Sequence, residues 1–217
     1  MSRPIINSGT QAITIDSHVA RIRAKIAHGE RIIVGLTGAP GAGKSTLAQE
    51  LMQRLAGQAV VVPMDGYHLA NLVLAQLGNA DRKGAEDTFD SAGYVALLRR
   101  LRAQAPDEIV YAPLFRREIE EPIANAIPVP PDTPVVITEG NYLLLQCGHW
   151  RHVRGLIDEI WFVDVDGDLR RRRLIARHMQ FGRSADAAAE WVERTDEVNA
   201  RLIESTREWA DYRIAVE

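Results

Sequence analysis

The sequence predicts an α/β protein built on a mostly parallel sheet. Three observations carry this expectation. Apolar runs of strand length recur, such as "RIIVGLTG" (31–38) and "AVVVPMD" (59–65); amphipathic helical segments lie between them; and polar residues (Gly38, Asp65 and Glu139) stand where successive apolar runs end. A continuously apolar strand is one covered on both faces. Strands alternating with helices imply right-handed crossovers. In such sheets ligands bind beyond the carboxyl ends of the strands.

Taken in order, Val19, Ile22 and Ile26 of "IDSHVARIRAKIAHGE" sit at helical spacing, with Gly29 as the stop. Residues 31–38 form the first buried strand. "KSTLAQELMQRLAG" is helical up to Gly57, and 59–65 is the second buried strand. "SAGYVALLRRLRAQ" reads as an amphipathic helix capped by Ser91. "EIVYAPLF" is a short strand. The proline-rich segment 120–134 reads as an exposed excursion rather than a domain boundary. "TPVVITEGNYLLL" and "DEIWFVDVD" supply the third and fourth buried strands. Residues 167–210 are helical with a break near "FGRSAD", and "DYRIAV" is a final strand. A chain of 217 residues is expected to be one domain, with 1–30 a helical N-terminal extension and roughly 167–190 a lid.

The totals exclude several classes. Hydrophobic content of 46% and charged content of 25% are those of a globular chain, and a net charge of −3 provides no basic field for nucleic acid or an anionic membrane. Cys147 is the only cysteine, which forbids an intrachain disulfide and fits a reducing compartment. No signal-peptide core is visible, and no apolar run approaches the ~20 residues of a membrane span. The expectation is a cytoplasmic protein without nucleic-acid or membrane partners. A homodimer is allowed, though nothing in the sequence asks for one.

The chemistry begins at "GLTGAPGAGKST". Gly38, Gly43, Lys44 and Ser45 fit G-x-x-x-x-G-K-[ST], with a buried strand before and a helix after. Glycines let the backbone turn tightly and aim several N–H groups at one anion, and the following helix adds its positive end. This is a P-loop, so the α/β class narrows to a P-loop NTPase three-layer sandwich. The expected nucleotide site is Gly38, Ala39, Pro40, Gly41, Ala42, Gly43, Lys44, Ser45 and Thr46, with Lys44 on the β- and γ-phosphates and Ser45 on Mg²⁺.

Residues beyond the loop separate the classes that use it. No Asn precedes a Lys, so the guanine-reading N-K-x-D motif is missing, and no apolar strand ends in the Asp-Glu pair of a motor ATPase. A small-molecule kinase needs a carboxylate for the acceptor hydroxyl, an acid near the metal and cations over the transferring group. Asp65 and Glu139 supply the two acids, each just past a buried strand. The run Arg170–Arg173 with Arg177 and Arg183 supplies the cations. Four consecutive helical positions cannot face one site. Arg173 is therefore expected to bind the nucleotide, Arg177 and Arg183 to act in catalysis, and Arg170–Arg172 to face solvent or salt bridges. Tyr67 and His68, beside Asp65, are expected to touch the acceptor.

The blocks "GLTGAPGAGKST", "PMDGYHLAN", "RKGAEDTFD", "YAPLF", "VVITEGNYLLL", "RHMQFGRS" and "RTDEVNARLI" resemble, in this order, the P-loop kinase family of uridine kinase, phosphoribulokinase and bacterial pantothenate kinase. The likeness is greatest to a bacterial subgroup of fructose-transport-system kinases. The resemblance implies that Asp65 orients or deprotonates the acceptor hydroxyl, that Glu139 lies near Mg²⁺, and that Arg177 and Arg183 belong to a mobile lid. It places Lys83, Asp90 and Asn199 around the acceptor. One departure is Phe115-Arg116, where uridine kinases follow the aromatic with a carboxylate; an arginine there suits an anionic group. The implied activity is ATP-dependent transfer of the γ-phosphoryl group to a hydroxyl of a sugar, nucleoside or pantothenate-like acid. The alternative is a regulatory or metal-handling nucleotide hydrolase with no metabolite acceptor.

Overall fold

The computed structural model describes residues 14–216. Residues 1–13 of the expected extension lie outside them. The chain runs α1 (Ile15–Ala27), β1 (Ile32–Thr37), α2 (Lys44–Arg54), β2 (Ala59–Pro63), α3 (Asn71–Leu77), α4 (Ser91–Arg102), β3 (Val110–Arg116), β4 (Glu121–Val129), β5 (Val135–Glu139), β6 (Glu159–Asp164), α5 (Gly167–Gln180), α6 (Ala185–Trp191), α7 (Glu197–Glu204) and β7 (Tyr212–Ala215). A 3₁₀ turn, Met64–Tyr67, follows β2, and a π-helical turn, Val192–Asp196, separates α6 from α7.

Five strands form one parallel sheet in the order β2-β5-β1-β6-β7. Successive residues of β1 face opposite sides of the sheet. Ile33 joins Val62, Met64, Tyr94 and Leu98 on one face, while Val34 and Leu36 join Ile22, Leu47, Leu51 and Trp161 on the other. Helices α1 and α2 cover the second face and α4 the first, which gives three layers. Burial on both faces is why the strand segments carry no polar alternation. Among the described residues no helix is long and apolar enough to cross a membrane.

Two local expectations are corrected. The segment expected as an exposed excursion is largely exposed over 121–129 but is a strand: β4 pairs antiparallel with β3, with Val110 opposite Val129 and Leu114 opposite Ile123. A bulge between Ala112 and Leu114, and prolines at 122 and 128 on an otherwise exposed strand, hide the period of two. The cap of α4 is Asp90 rather than Ser91, since the Gly93 N–H donates to Asp90 Oδ1 at 2.7 Å. Asp and Ser are equally good caps, so the choice between these neighbours falls to geometry.

His18 of α1 is fully buried, and neither ring nitrogen has a hydrogen-bond partner. Its ring lies 4.4 Å from Trp161 and 4.7 Å from Tyr212. Burial, helped by the Arg21 charge and opposed by Glu159, pulls its pKa down to about 4. The native chain thus resists a proton that the unfolded chain accepts near 6.5. The stability this imparts is complete above pH ~6.5 and lost as pH falls toward 4. Allowing for solvent screening, the loss is on the order of 2 kcal/mol. Urea melts at pH 7.5 and 5 should show it, and His18→Phe should flatten the dependence. An unchanged pH dependence in the variant would assign the effect to other groups.

Candidate active site

The phosphate loop links β1 to α2. Gly41 and Gly43 hold φ of 78° and 94°, and a Cβ on Gly41 would press within 2.8 Å of Leu174 Cγ on α5. Only glycine combines that backbone with that contact. Gly43 precedes α2 without a side-chain cap, so the first-turn N–H groups stay directed at the loop. Lys44 is buried, and its Nζ donates to Gly38 O at 2.9 Å and Ala39 O at 3.1 Å. Burial pulls its pKa down to about 8 against the attraction of Glu139 and Asp65. Behind the loop, buried Arg170 donates to Pro40 O at 3.4 Å and pairs with Glu197 at 2.6 Å.

Strand register brings the two acids to this loop. Pro63 pairs with Glu139 across β2 and β5, and Leu36 pairs with Glu139 across β1 and β5. Glu139 is buried and accepts from Ser45 Oγ at 2.9 Å. Desolvation pushes its pKa up, and the Asp65 charge adds to the rise while Lys44 opposes it. Asp65 sits in the 3₁₀ turn after β2. The turn is closed by its main chain, with the His68 N–H donating to Asp65 O at 3.1 Å, whereas its carboxylate receives Arg117 Nη2 at 3.2 Å. Gly66 permits this arrangement, because a Cβ there would run into the Pro113 carbonyl of β3.

A cleft of about 1160 Å³ runs over the loop. It is lined by Pro40, Gly41, Gly43, Lys44, Ser45 and Thr46 of the loop, by Asp65 and Glu139, and by Arg173, Arg177 and Arg183. His68, Lys83 and Asn199 line it too. Gly38, Ala39 and Ala42 are buried beneath the loop and shape it from behind. Arg173 and Arg177 lie four residues apart on one face of α5. Burial, and then Arg117, lower the pKa of Arg177, while Asp196 and Asp65 act the other way. Arg183 stacks on the Trp191 ring, 4.0 Å from its centroid.

Three expected contacts fall outside the cleft. Tyr67 turns into the core, edge-on to Tyr94 at 5.5 Å, and burial pushes its phenol up to about 12. Asp90 is spent on capping α4. Arg116 is exposed beside Glu118 at 3.3 Å, so its anion-binding role has no geometric support. Its neighbour Arg117 enters instead. Phe115 and Arg117 both line the cleft, as positions two apart near a strand end do. That periodicity was the available signal for Arg117.

Asn71 and Asp196 line the cleft as well; they lie in the blocks "PMDGYHLAN" and "RTDEVNARLI", but neither is among the site residues expected from the sequence. Asn71 is tied to Lys83, whose Nζ donates to Asn71 Oδ1 at 2.5 Å and also to Glu120 O. Asp196, at the end of the π-helical turn, accepts from His178 Nε2 at 2.8 Å. His68 packs between Phe89, at 4.0 Å, and Phe115, at 4.5 Å, and burial lowers its pKa. Asn199 Nδ2 donates to Gly84 O at 3.4 Å, a carbonyl that also receives Tyr142 OH at 2.6 Å.

A parallel sheet whose central strand feeds a glycine loop, under a cationic helix, defines a nucleotide-using protein of the P-loop class. Within that class the chain belongs to the Phosphoribulokinase / Uridine kinase family, which residues 33–216 match, and it is an ATP-dependent small-molecule kinase. It is 34% identical over 190 residues to a Schizosaccharomyces pombe protein provisionally described as a uridine kinase, covering 82% of this chain and 80% of that one. Identity to an ATP-dependent kinase-like protein of Aspergillus versicolor is 40% over 132 residues, 58% of this chain and 77% of the relative. A crystal structure from Silicibacter sp. TM1040, provisionally described as a fructose transport system kinase, superposes with a TM-score of 0.78 at 38% identity, covering 90% of this chain and 98% of that one.

Proposed function

We propose that the protein transfers the γ-phosphoryl group of ATP, held with Mg²⁺, to a hydroxyl group of a small metabolite that is aligned by Asp65. The observation that carries this is the pair of acids at register-matched strand ends: Glu139 bonded to Ser45, and Asp65 one strand away with Arg117 fixing Oδ2. One acid is thereby committed to the triphosphate side and the other faces the acceptor side.

Ser45 Oγ and Glu139 Oε1 are hard oxygen donors at the mouth of the loop. Among the described residues no cluster of three or more His, Cys, Asp or Glu side chains is set to hold a metal. The two oxygen donors suit Mg²⁺, which takes one or two protein ligands and completes its shell with phosphate and water. Bound there, it would neutralise charge on the β- and γ-phosphates. The chain's own work is positioning. The loop N–H groups and Lys44 hold the triphosphate, Asp65 takes the hydroxyl hydrogen bond and its proton, and Arg177 stabilises the equatorial oxygens. Arg173 and Arg183 close the lid against water, which would otherwise compete as acceptor.

The Arg177 guanidinium makes no hydrogen bond or ion pair among the described residues, and Arg177 lines the cleft. Arg177→Ala is expected to lower kcat by about 10²–10³ while the Kd for ADP changes far less. Equal losses in both would make Arg177 a static anchor. The assignment as a whole is tested by an ADP-release screen with ATP and Mg²⁺ against sugars, nucleosides and hydroxy acids. Acceptor-stimulated release that Asp65→Asn abolishes is the expected result. Hydrolysis of ATP or GTP at one rate with and without every acceptor would establish the hydrolase alternative.

A further inference from the structure

The acceptor side of the cleft holds a carboxylate that the reaction described above does not use. Asp196 ends the turn Val192–Asp196, where the helix widens from α to π. Such widenings insert a residue into a helix and concentrate at functional sites. Here the widening brings Asp196 to the cleft wall, where it is 8% exposed. Its Oδ2 is held by His178 Nε2 at 2.8 Å. No protein donor among the described residues reaches Oδ1, and that oxygen is not sealed from solvent. A largely buried carboxylate oxygen that opens only to a cleft takes its hydrogen bonds from whatever binds there.

The neighbours say what kind of donor that is. Asn199 lies three residues on, on the same face of the helix, and also lines the cleft. Its Nδ2 is engaged with Gly84 O, which leaves the amide oxygen as a second acceptor beside Asp196. Arg177 also lines the cleft and feels the charge of both Asp196 and Asp65. Lys83 and Arg117 add positive charge from the other side of the pocket. An ammonium donor would meet these cations, whereas neutral hydroxyls would not. Two adjacent acceptor oxygens suit two hydroxyl donors on one molecule.

We infer that Asp196, aimed by His178 and seconded by Asn199, binds hydroxyl groups of the acceptor other than the one phosphorylated at Asp65, so that the substrate is a polyhydroxylated compound. The inference rests on the kinase assignment. His178 is then a positioning residue, and Asp196 contacts substrate. The bland alternative is that Asp196 only steadies His178 within the lid.

The experiment uses the full chain with ATP and Mg²⁺ and matched probes that differ in a hydroxyl remote from the phosphorylated one: D-ribose and 2-deoxy-D-ribose, uridine and 2′-deoxyuridine. The wild type should prefer the more hydroxylated member of the pair it turns over by at least about tenfold in kcat/KM. Asp196→Asn keeps the shape and a bond to His178, and should collapse that ratio to within about threefold, chiefly through KM. His178→Gln should reduce it partly. The ratio is measured first on the wild type, so the test survives a variant that folds poorly. A ratio that Asp196→Asn leaves intact, or turnover of the less hydroxylated members alone, would overturn the inference and leave the kinase assignment standing. No acceptor-dependent ADP release from any pair, together with turnover of a monohydroxylated acceptor in the broader screen, would also overturn the inference alone.

Discussion

Replacing Asp65 with asparagine is expected to cut phosphoryl transfer by about two orders of magnitude or more while leaving nucleotide binding intact. The substitution keeps the shape of the side chain and removes its charge and half its acceptor capacity. What makes it selective is position. Asp65 follows β2, one strand removed from the loop that carries Lys44, and its carboxylate contacts Arg117 of the β3–β4 connection rather than the loop itself. The triphosphate contacts of Lys44 and Ser45 are anchored elsewhere, by Gly38, Ala39 and Glu139. Loss of Asp65 also removes a charge that helps to raise the pKa of Glu139, so the metal-side acid ionises more readily in the variant. Asp65 also helps to hold the Lys44 pKa up against burial, so the variant should be compared below pH ~8, where Lys44 keeps its proton and transfer should fall far more than nucleotide affinity. Single-turnover transfer and calorimetric titration with ADP separate the two. Unchanged transfer would remove Asp65 from the chemistry, and a matching loss of ADP affinity would move it to the nucleotide site.

The parallel sheet was legible because burial on both faces leaves continuous apolar runs, and the phosphate loop because it depends on glycines at fixed spacing. Asp65 and Glu139 were legible for the same reason: a strand that leaves the core changes character abruptly. The hairpin was not. On β4 the side chains from Ile123 to Ala126 are exposed without alternation, and a bulge shifts the register in β3, so no period of two survives. Arg116 and Arg117 differ only in which side of a strand end they leave, and one residue of register decides which enters the cleft. Asp90 illustrates a different limit. One acidic residue can serve as a helix cap or a substrate ligand, and both roles favour the same side chain at the same kind of junction. The π-helical turn is invisible to a 3.6-residue pattern. With it went Asp196, which regular spacing gives no reason to single out. Arg170 was removed from the site by helical spacing, and its buried pairing with Glu197 accords with that.

Lys44→Met should abolish triphosphate turnover and at the same time stabilise the fold. Lys44 is the one cation rooted in the phosphate loop itself, so its loss removes charge where the β- and γ-phosphates lie, and the turnover loss should exceed that of any lid arginine. The stability effect has the opposite sign. With its pKa pulled from 10.5 to about 8 by burial, the ammonium is charged at pH 7 in both the folded and unfolded chain but is disfavoured in the folded one. That penalty is present in full below pH ~8 and disappears as pH rises to the unfolded value near 10.5. A shift of this size corresponds to about 3 kcal/mol, and orphaning the Gly38 and Ala39 carbonyls takes back part of it, so the net gain at pH 7 is on the order of 1–2 kcal/mol. Urea melts at pH 7 and pH 10 should show Lys44→Met ahead of the wild type at the lower pH and the gap closing at the higher. The same titration governs binding. Above pH ~8 the free loop loses its proton and must take one up to hold a triphosphate, so wild-type ATP affinity should fall by up to about tenfold per pH unit. A variant that is both inactive and less stable at pH 7 would show that the carbonyl contacts outweigh desolvation. A flat ATP affinity between pH 7 and pH 9.5 would show that Lys44 stays charged in the free protein.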